Sequence, residues 1–534
     1  RDGLKAIFVL VKHRIPSSRR LAAHVAMTAA ILVAAFGIGR GTWAVGGSDS
    51  SCYALMANAF ARGDVQPYTD LALEAPWPDA ARTFAPAGFI PSPVRAGAAS
   101  PVCAPGFSLL LAAFQWVAGA EGMFLATPLA GALLIWLTFV FGRQIAGPGA
   151  GAAAAVIVAA TPIVLFQVTQ PMNDVAGAVL WMAVLVAASS PEPTRAWLLG
   201  LFTGLAILVR PNLAPAGAIV GLWMVVTTWM EKGGVGTVRR RATAFALAVA
   251  PSIGMVLALN ALLYGDPLES GYGSIRDLFS VQHIVPNLRH YGSAIVETEL
   301  GLPLFGVAAL ATASPSLRPI AWLAVSVAVS IVAVYVLYRP FPEWWYLRFL
   351  LPALVPLTAL AVAAAAHLVA SRAQSMVARV LVAAAVAGIA AFGVVTAHNR
   401  QAFDLQRLEA RFRRSGEIVR TRLPADAVFV TVWHSGSVRF HADRPAVLWD
   451  SLDPSATDRA ISWLSSRGFE PYLLLERWEE ALFRERFGSR TELGDLDWPP
   501  RFDIDRQVRI FKPSDRTAYT QGQSIPTEHV VPRR

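Results

Sequence analysis

The chain has 534 residues, 55% of them apolar and only 15% charged, with a mean hydropathy of +0.47. The apolar residues come in blocks rather than in amphipathic stripes, which excludes an ordinary soluble enzyme and fits a membrane protein. The net charge of +10 is not a nucleic-acid signature, because the basic residues sit in short loops between apolar blocks, where they set topology.

Lys5, Lys12, Arg14, Arg19 and Arg20 precede the first apolar block, Leu21 to Ile38. The stretch after it carries Asp49, Asp64, Asp70, Glu74, Asp79 and Glu121 against Arg62, Arg82 and Arg95. That asymmetry places 1–20 in the cytoplasm and makes 42–122 the first outer loop. The block lacks a small-residue cleavage site and reads as a retained span. Since the first residue is Arg, residues upstream are expected.

Crossing a hydrocarbon core of about 30 Å takes roughly 20 helical residues. Lys232 with Arg239, Arg240 and Arg241 anchors a cytoplasmic loop. Counting back from it gives spans near 213–230, 197–209, 175–190, 149–169 and 123–142, with Arg195 and Arg143 inside and Asp174 and Glu121 outside. Phe107 to Ala118 is about half a span in length. If it crossed, every later sign would invert, so it is expected to lie at the outer surface after the turn at Pro105-Gly106. Forward of the basic loop come spans near 242–262, 301–315, 319–338, 348–370 and 380–397, of which 301–315 is the shortest. They place Arg318, Arg372 and Arg379 inside, and leave outer segments at Tyr264 to Leu300 and Arg339 to Leu347.

The expected architecture is thus an α-helical polytopic membrane domain over 21–397, with about eleven spans at this length per crossing. From 398 the composition becomes that of a soluble domain, expected outside the membrane over 398–513. Gln401 to Arg422, Thr457 to Ser466 and Trp478 to Phe487 read as helices, and Val428 to Val432, Tyr472 to Leu475 and Val508 to Phe511 as strands. This alternation predicts a small α/β fold. The polar tail, 514–534, is expected to be disordered.

Several residues carry chemistry. Asp49 opens a helical stretch that runs to Arg62 with Gly63 as its stop; it reads either as a helix cap or as a catalytic carboxylate, and one side chain can do both. Asp174 likewise stands at the start of a span. Arg210 and Arg348, at outer span ends, are either interfacial anchors that snorkel to headgroups or phosphate ligands. Tyr272, His290 and Glu297 lie in the outer loop with His283, Tyr291 and Glu299. Its aromatics suit sugar faces or an interfacial belt, and Trp344, Trp345 and Tyr346 read first as belt residues. His434-Ser435-Gly436-Ser437 lacks the glycine elbow of a nucleophile motif. No Walker loop or dinucleotide fingerprint is present. Cys52 and Cys103, the only cysteines, fall in one outer loop on the oxidising face; a disulfide is expected, with two separate buried thiols as the alternative.

Four segments carry a resemblance: Gly47-Ser48-Asp49 with Tyr53 and Arg62-Gly63, Pro101 to Phe107, Gln170-Pro171-Met172-Asn173-Asp174, and Tyr346 to Pro352. In order and spacing they resemble the GT-C superfamily of polytopic glycosyltransferases, especially its protein mannosyltransferase and aminoarabinose transferase branch. The resemblance implies a GT-C-like membrane domain and transfer of a sugar from a polyprenyl-phosphate donor to a cell-envelope acceptor, at the outer face of a bacterial inner membrane. It implies Asp49 as an essential acidic residue and Asp174 as the second, Tyr272, His290 and Glu297 in a substrate-covering loop, and membrane lipids as partners; the chemistry of such a transfer then asks for a base, for which Asp49 is the candidate, and for donor-phosphate ligands, for which Arg348 and Arg210 are the candidates. Relatives often have Asp-Glu where this chain has Asp49-Ser50, which weakens the case for a divalent metal on paired carboxylates, although Asp49 and Asp174 are its candidates. The rival class is a secondary transporter or lipid flippase, which would show mid-membrane ionisable residues and an inverted repeat; neither is apparent here.

Overall fold

The computed structural model describes residues 18–190, 194–315, 317–370 and 375–531. Lys5, Lys12, Arg14 and Arg372, used above as topology signals, lie outside the described residues. The chain divides into two compact units. One comprises the segment up to Gly41 with Leu125–Met255 and Ser274–Asp404; the other comprises Thr42–Phe124, Val256–Gly273 and the chain from Leu405 onward.

The first unit is the helical membrane body. Seven helices among the described residues are long and apolar enough to cross a membrane, or eight if one bent pair counts as a single span. Pro148–Ala159, Asn173–Ala187 and Arg195–Val209 are shorter apolar helices. Two further expected spans are interrupted in the structure. The run at 149–169 breaks into Pro148–Ala159 and Pro162–Gln167, because Pro162 has no N–H with which to continue the ladder. The run at 301–315 is no continuous span: helix Ile284–Glu299 ends at Leu300 and Gly301, both at positive φ, and the chain turns by 98° into Leu302–Thr312. Small residues let helices approach closely. A Cβ on Gly142 would sit 2.9 Å from the Gly151 Cα, so helices Ala126–Ala146 and Pro148–Ala159 meet almost backbone to backbone, the usual device where apolar burial gives no drive between helices.

The second unit joins the segment Thr42–Phe124 to the C-terminal domain. This differs from the expected partition, which placed 42–122 with the membrane domain. This segment contributes helix Asp49–Ala61 and the short apolar helix Pro105–Ala118, and a short antiparallel pair of β1 (Phe89–Pro91) with β2 (Ala99–Pro101). Gly63 has φ 79°, as its role of helix stop requires. Cys52 and Cys103 are joined as a disulfide with Cα atoms 6.0 Å apart, tying these two helices together. Removing it by Cys52→Ser and Cys103→Ser is expected to cost about 2–4 kcal/mol. Unfolded but unreduced wild-type protein should resist thiol labelling, and full labelling of both residues would refute the bridge.

The remaining strands form a six-stranded sheet: β3 (Ala427–Val430), β4 (Ala446–Val447), β5 (Glu470–Glu476), β6 (Phe502–Ile504), β7 (Val508–Phe511) and β8 (Glu528–Val530), in the order β4-β3-β5-β7-β6-β8. β3 runs parallel to β4 and β5, β7 antiparallel to β5 and β6, and β8 parallel to β6. Alternate residues serve opposite faces. Val428, Val430, Leu473 and Leu475 pack with Leu464 and Phe483 of helices Thr457–Ser466 and Glu479–Phe487. Ala427, Phe429, Tyr472 and Leu474 pack with Ile418, Val419 and Val438 of helices Leu405–Arg422 and Ser435–Ala442. Trp77 and Phe84 from Thr42–Phe124 complete the former layer, and Leu448 N–H donates to the Thr83 carbonyl (2.6 Å). The tail expected to be disordered from 514 is instead folded through Val531. Helix Pro513–Thr520 is held by an Arg501–Asp515 ion pair, and β8 satisfies backbone groups of β6 that would otherwise form an open edge.

Candidate functional site

In the membrane unit, Arg210 follows helix Thr194–Val209 and precedes Pro211. Proline disfavours α conformation in the residue before it, so the helix stops and Arg210 turns extended, at φ −140° and ψ 84°. Its side chain is buried at 6% exposure. It donates to Asn173 Oδ1 from Nε (3.3 Å) and Nη2 (3.0 Å), to the Asp174 carboxylate, and from Nη1 to Tyr335 Oη (3.0 Å). Asn212 Nδ2 donates to the same tyrosine oxygen (2.9 Å). Asp174 is 1% exposed in the first turn of helix Asn173–Ala187, and its Oδ2 finds no hydrogen-bond partner among the described residues. A buried pair with this many bonds is costly to break, because either partner alone is an uncompensated charge.

The Tyr335 ring stacks on Phe349, with centroids 5.0 Å apart and planes 8° from parallel. Phe349 is the centre of the cluster. The Arg210 guanidinium lies 5.8 Å from its centroid and that of Arg348 5.2 Å. Arg348, 8% exposed, also lies 5.1 Å from the Tyr346 ring, which stacks on Phe341 at 4.2 Å. Three residues expected from sequence, Asp174, Arg210 and Arg348, therefore meet around one aromatic stack, where cation–π attraction holds the guanidinium groups in a low-dielectric setting. Tyr335 was not anticipated; a tyrosine closing an otherwise apolar span was its only signal. Trp344 and Trp345 pack on Phe166 at 5.2 and 5.8 Å.

The expected loop residues His290 and Glu297 bond elsewhere. His290 donates from Nε2 to the Glu343 carbonyl (3.1 Å) and Glu297 pairs with Arg400, so both tie down helix Ile284–Glu299. Tyr272 is exposed and belongs to the other unit. A cavity of 920 Å³ among helices Ser18–Gly39, Pro148–Ala159 and Met376–Asn399 contains none of the expected site residues.

In the second unit Asp49 is exposed in the first turn of helix Asp49–Ala61, whose N-cap position is Ser48. Ser50 closes the preceding loop: its Oγ donates to the Gly46 carbonyl (2.6 Å) and accepts from Gly46 N–H (3.1 Å). A Cβ on Gly46 would collide with the Phe412 ring, and Gly47, at φ 62°, lies against Trp433. The glycine pair is there for close approach and turn geometry.

Within the α/β domain, His434 is fully buried, with Ser437 Oγ 3.3 Å from its Nδ1 and Glu476 Oε1 3.4 Å from its Nε2. The order mimics a nucleophile relay, but Ser437 is also fully buried and donates to the His434 carbonyl (3.0 Å). Burial lowers the His434 pKa. For Glu476 burial acts upward but is outweighed by the bonds and charges of His434 and Arg411, which bring it down to about 2. Burial pushes Glu479, which accepts from Glu476 N–H (2.9 Å), up to about 7. This network ties together four elements of the domain: helices Leu405–Arg422, Ser435–Ala442 and Glu479–Phe487 and strand β5.

Among the described residues no group of three or more His, Cys, Asp or Glu is placed to hold a metal ion. The Asp174 carboxylate is already matched by a guanidinium, and Ser50 stands where a second carboxylate would be needed beside Asp49. These residues do not fit a divalent ion.

No protein-family model and no curated protein matches the chain. Solved structures do. ArnT from Cupriavidus metallidurans bound to undecaprenyl phosphate is 15% identical with a TM-score of 0.55, over 86% of this chain and 94% of that one. The same protein in the apo state matches at 16% identity and a TM-score of 0.51, with the same coverage. The Archaeoglobus fulgidus oligosaccharyltransferase tethered with an acceptor peptide is 12% identical with a TM-score of 0.51, over 89% of this chain and 72% of that one. At such identities the likeness speaks of the fold, and the chain is a polytopic membrane protein with a GT-C-like fold and a soluble C-terminal domain.

Proposed function

We propose that this protein is an integral-membrane glycosyltransferase that moves a sugar from a polyprenyl-phosphate donor to a cell-envelope acceptor on the outer face of a bacterial inner membrane. The observation that carries the reading is the fold match over 94% of the length of a protein solved with undecaprenyl phosphate. The cluster around Phe349 supports it. Arg348 is the phosphate ligand, and Arg210, fixed by Asp174 and Asn173, adds positive charge on the same ring.

Asp49 takes the proton of the acceptor hydroxyl as its oxygen attacks the anomeric carbon. The bond from that carbon to the phosphate oxygen breaks, and its electron pair leaves with the polyprenyl phosphate. Arginines preorganised in a dry site stabilise the charge that develops there. Asp174 serves as the anchor of Arg210 rather than as a second base. The N-terminus is cytoplasmic and the C-terminal domain outside.

The test is purified protein in right-side-out vesicles without any ion gradient, supplied with a panel of polyprenyl-phosphate sugars and cell-envelope extract. Release of polyprenyl phosphate is expected with at least one donor, and Arg348→Ala should weaken the donor KM by at least about 10-fold, a lost charge-assisted bond being worth 1.5–3 kcal/mol. Movement of lipid or solute without bond cleavage would mark a transporter or flippase instead.

A further inference from the structure

Two tryptophans of the α/β unit stand open on its surface. Trp433 is 41% and Trp478 51% exposed, and their rings meet at 5.7 Å and 66°, forming a corner of two flat apolar faces. Single exposed apolar side chains are ordinary. This pair is held in place. Trp478 donates from Nε1 to Glu476 Oε2 (3.0 Å), and that buried carboxylate is itself fixed by Arg411 (2.8 Å) and His434 (3.4 Å). Trp433 lies over Gly47, accepts a bond from Gly47 N–H at its carbonyl (3.3 Å), and is followed by His434, whose ring rests on Phe412 at 4.6 Å. Rings fixed beforehand lose little freedom when a ligand arrives.

The corner adjoins the loop of the proposed base, since Asp49 is two residues beyond the glycine that Trp433 covers. The C–H face of a sugar ring, slightly positive, matches the negative face of an indole. A tryptophan anchored at a bilayer surface turns its N–H to the headgroups, whereas the Trp478 N–H points inward to Glu476. Resting on the glycosyltransferase reading, we infer that Trp433 and Trp478 form an acceptor subsite that stacks a sugar ring, so the acceptor is carbohydrate: a free glycan or the sugar head of a glycolipid.

The experiment titrates the detergent-purified full chain with soluble manno-, gluco- and arabino-oligosaccharides, and in a second arm with glycolipids in nanodiscs, by calorimetry. Saturable binding to at least one is expected, with the arm that binds identifying the source. Trp478→Leu, which keeps apolar bulk but no aromatic face, and Trp433→Ala should each weaken it by about 3- to 10-fold, in line with the worth of one aromatic contact. Trp478→Phe should restore most of it. In turnover the same variants should raise the acceptor KM and leave the donor KM unchanged. Failure of wild type to bind any panel sugar, binding unchanged in both variants, or loss of affinity for sugar-free vesicles instead would overturn the subsite. None of those results touches donor cleavage, which is scored separately as polyprenyl phosphate release and judges the underlying reading.

Discussion

Asp49→Asn is expected to lower sugar transfer by about 10² to 10⁴ while folding and membrane insertion persist. The substitution keeps the size of the side chain and removes its basicity. Asp49 sits exposed in the first turn of helix Asp49–Ala61, one residue inside the Ser48 N-cap. A merely structural Asp49 would therefore act through the helix dipole, and Asp49→Ala would cost only about 0.3–1 kcal/mol. The two roles separate cleanly in a paired measurement of turnover and thermal stability. Wild-type turnover in Asp49→Asn would remove the residue from the mechanism. Asp174 would be a poor substitute for it, being spent on Arg210.

Asp174→Ala is expected to destabilise the membrane unit by about 3–5 kcal/mol, the typical result of stranding one half of a buried ion pair. Arg210, left at 6% exposure without its carboxylate, would have to keep its charge in an apolar interior. Replacing both partners by residues of similar volume, Asp174→Leu with Arg210→Met, should recover most of the loss. Thermal unfolding in one detergent reads both variants. If the double variant is as unstable as the single, the penalty comes from packing rather than charge. The double variant should still have weakened donor binding if Arg210 supplies charge to the phosphate.

The apolar blocks made the membrane domain legible, because a bilayer demands about 20 apolar residues per span whatever the surrounding fold. Alternating short apolar runs revealed the α/β domain, and six of its elements stand close to where the pattern placed them. The two cysteines raised a bridge against a pair of separate buried thiols, and the folded chain joins them. Asp174, Arg210 and Arg348 were visible as charges at span ends. Their meeting was not. Arg210 reaches Tyr335 across 125 residues, and helices apolar all round carry no stripe that says which face meets which neighbour.

Other features also needed the folded chain. The break at Pro162 and the 98° turn after Glu299 depend on neighbours that satisfy the freed backbone groups. The tail became β8 only because β6 offered it an unpaired edge. The segment Thr42–Phe124, Trp77 and Phe84 above all, belongs with the C-terminal sheet because one layer of that sheet was incomplete without it. By itself, then, the sequence determined what is local: which segments are apolar enough for lipid, which residues turn or cap, and which side chains carry charge. The tertiary structure decided which of those charges are partnered, which aromatics are buried around Phe349 and which are left open at Trp433 and Trp478. Such pairings depend on contacts between residues far apart in the chain, for which composition and periodicity leave no mark.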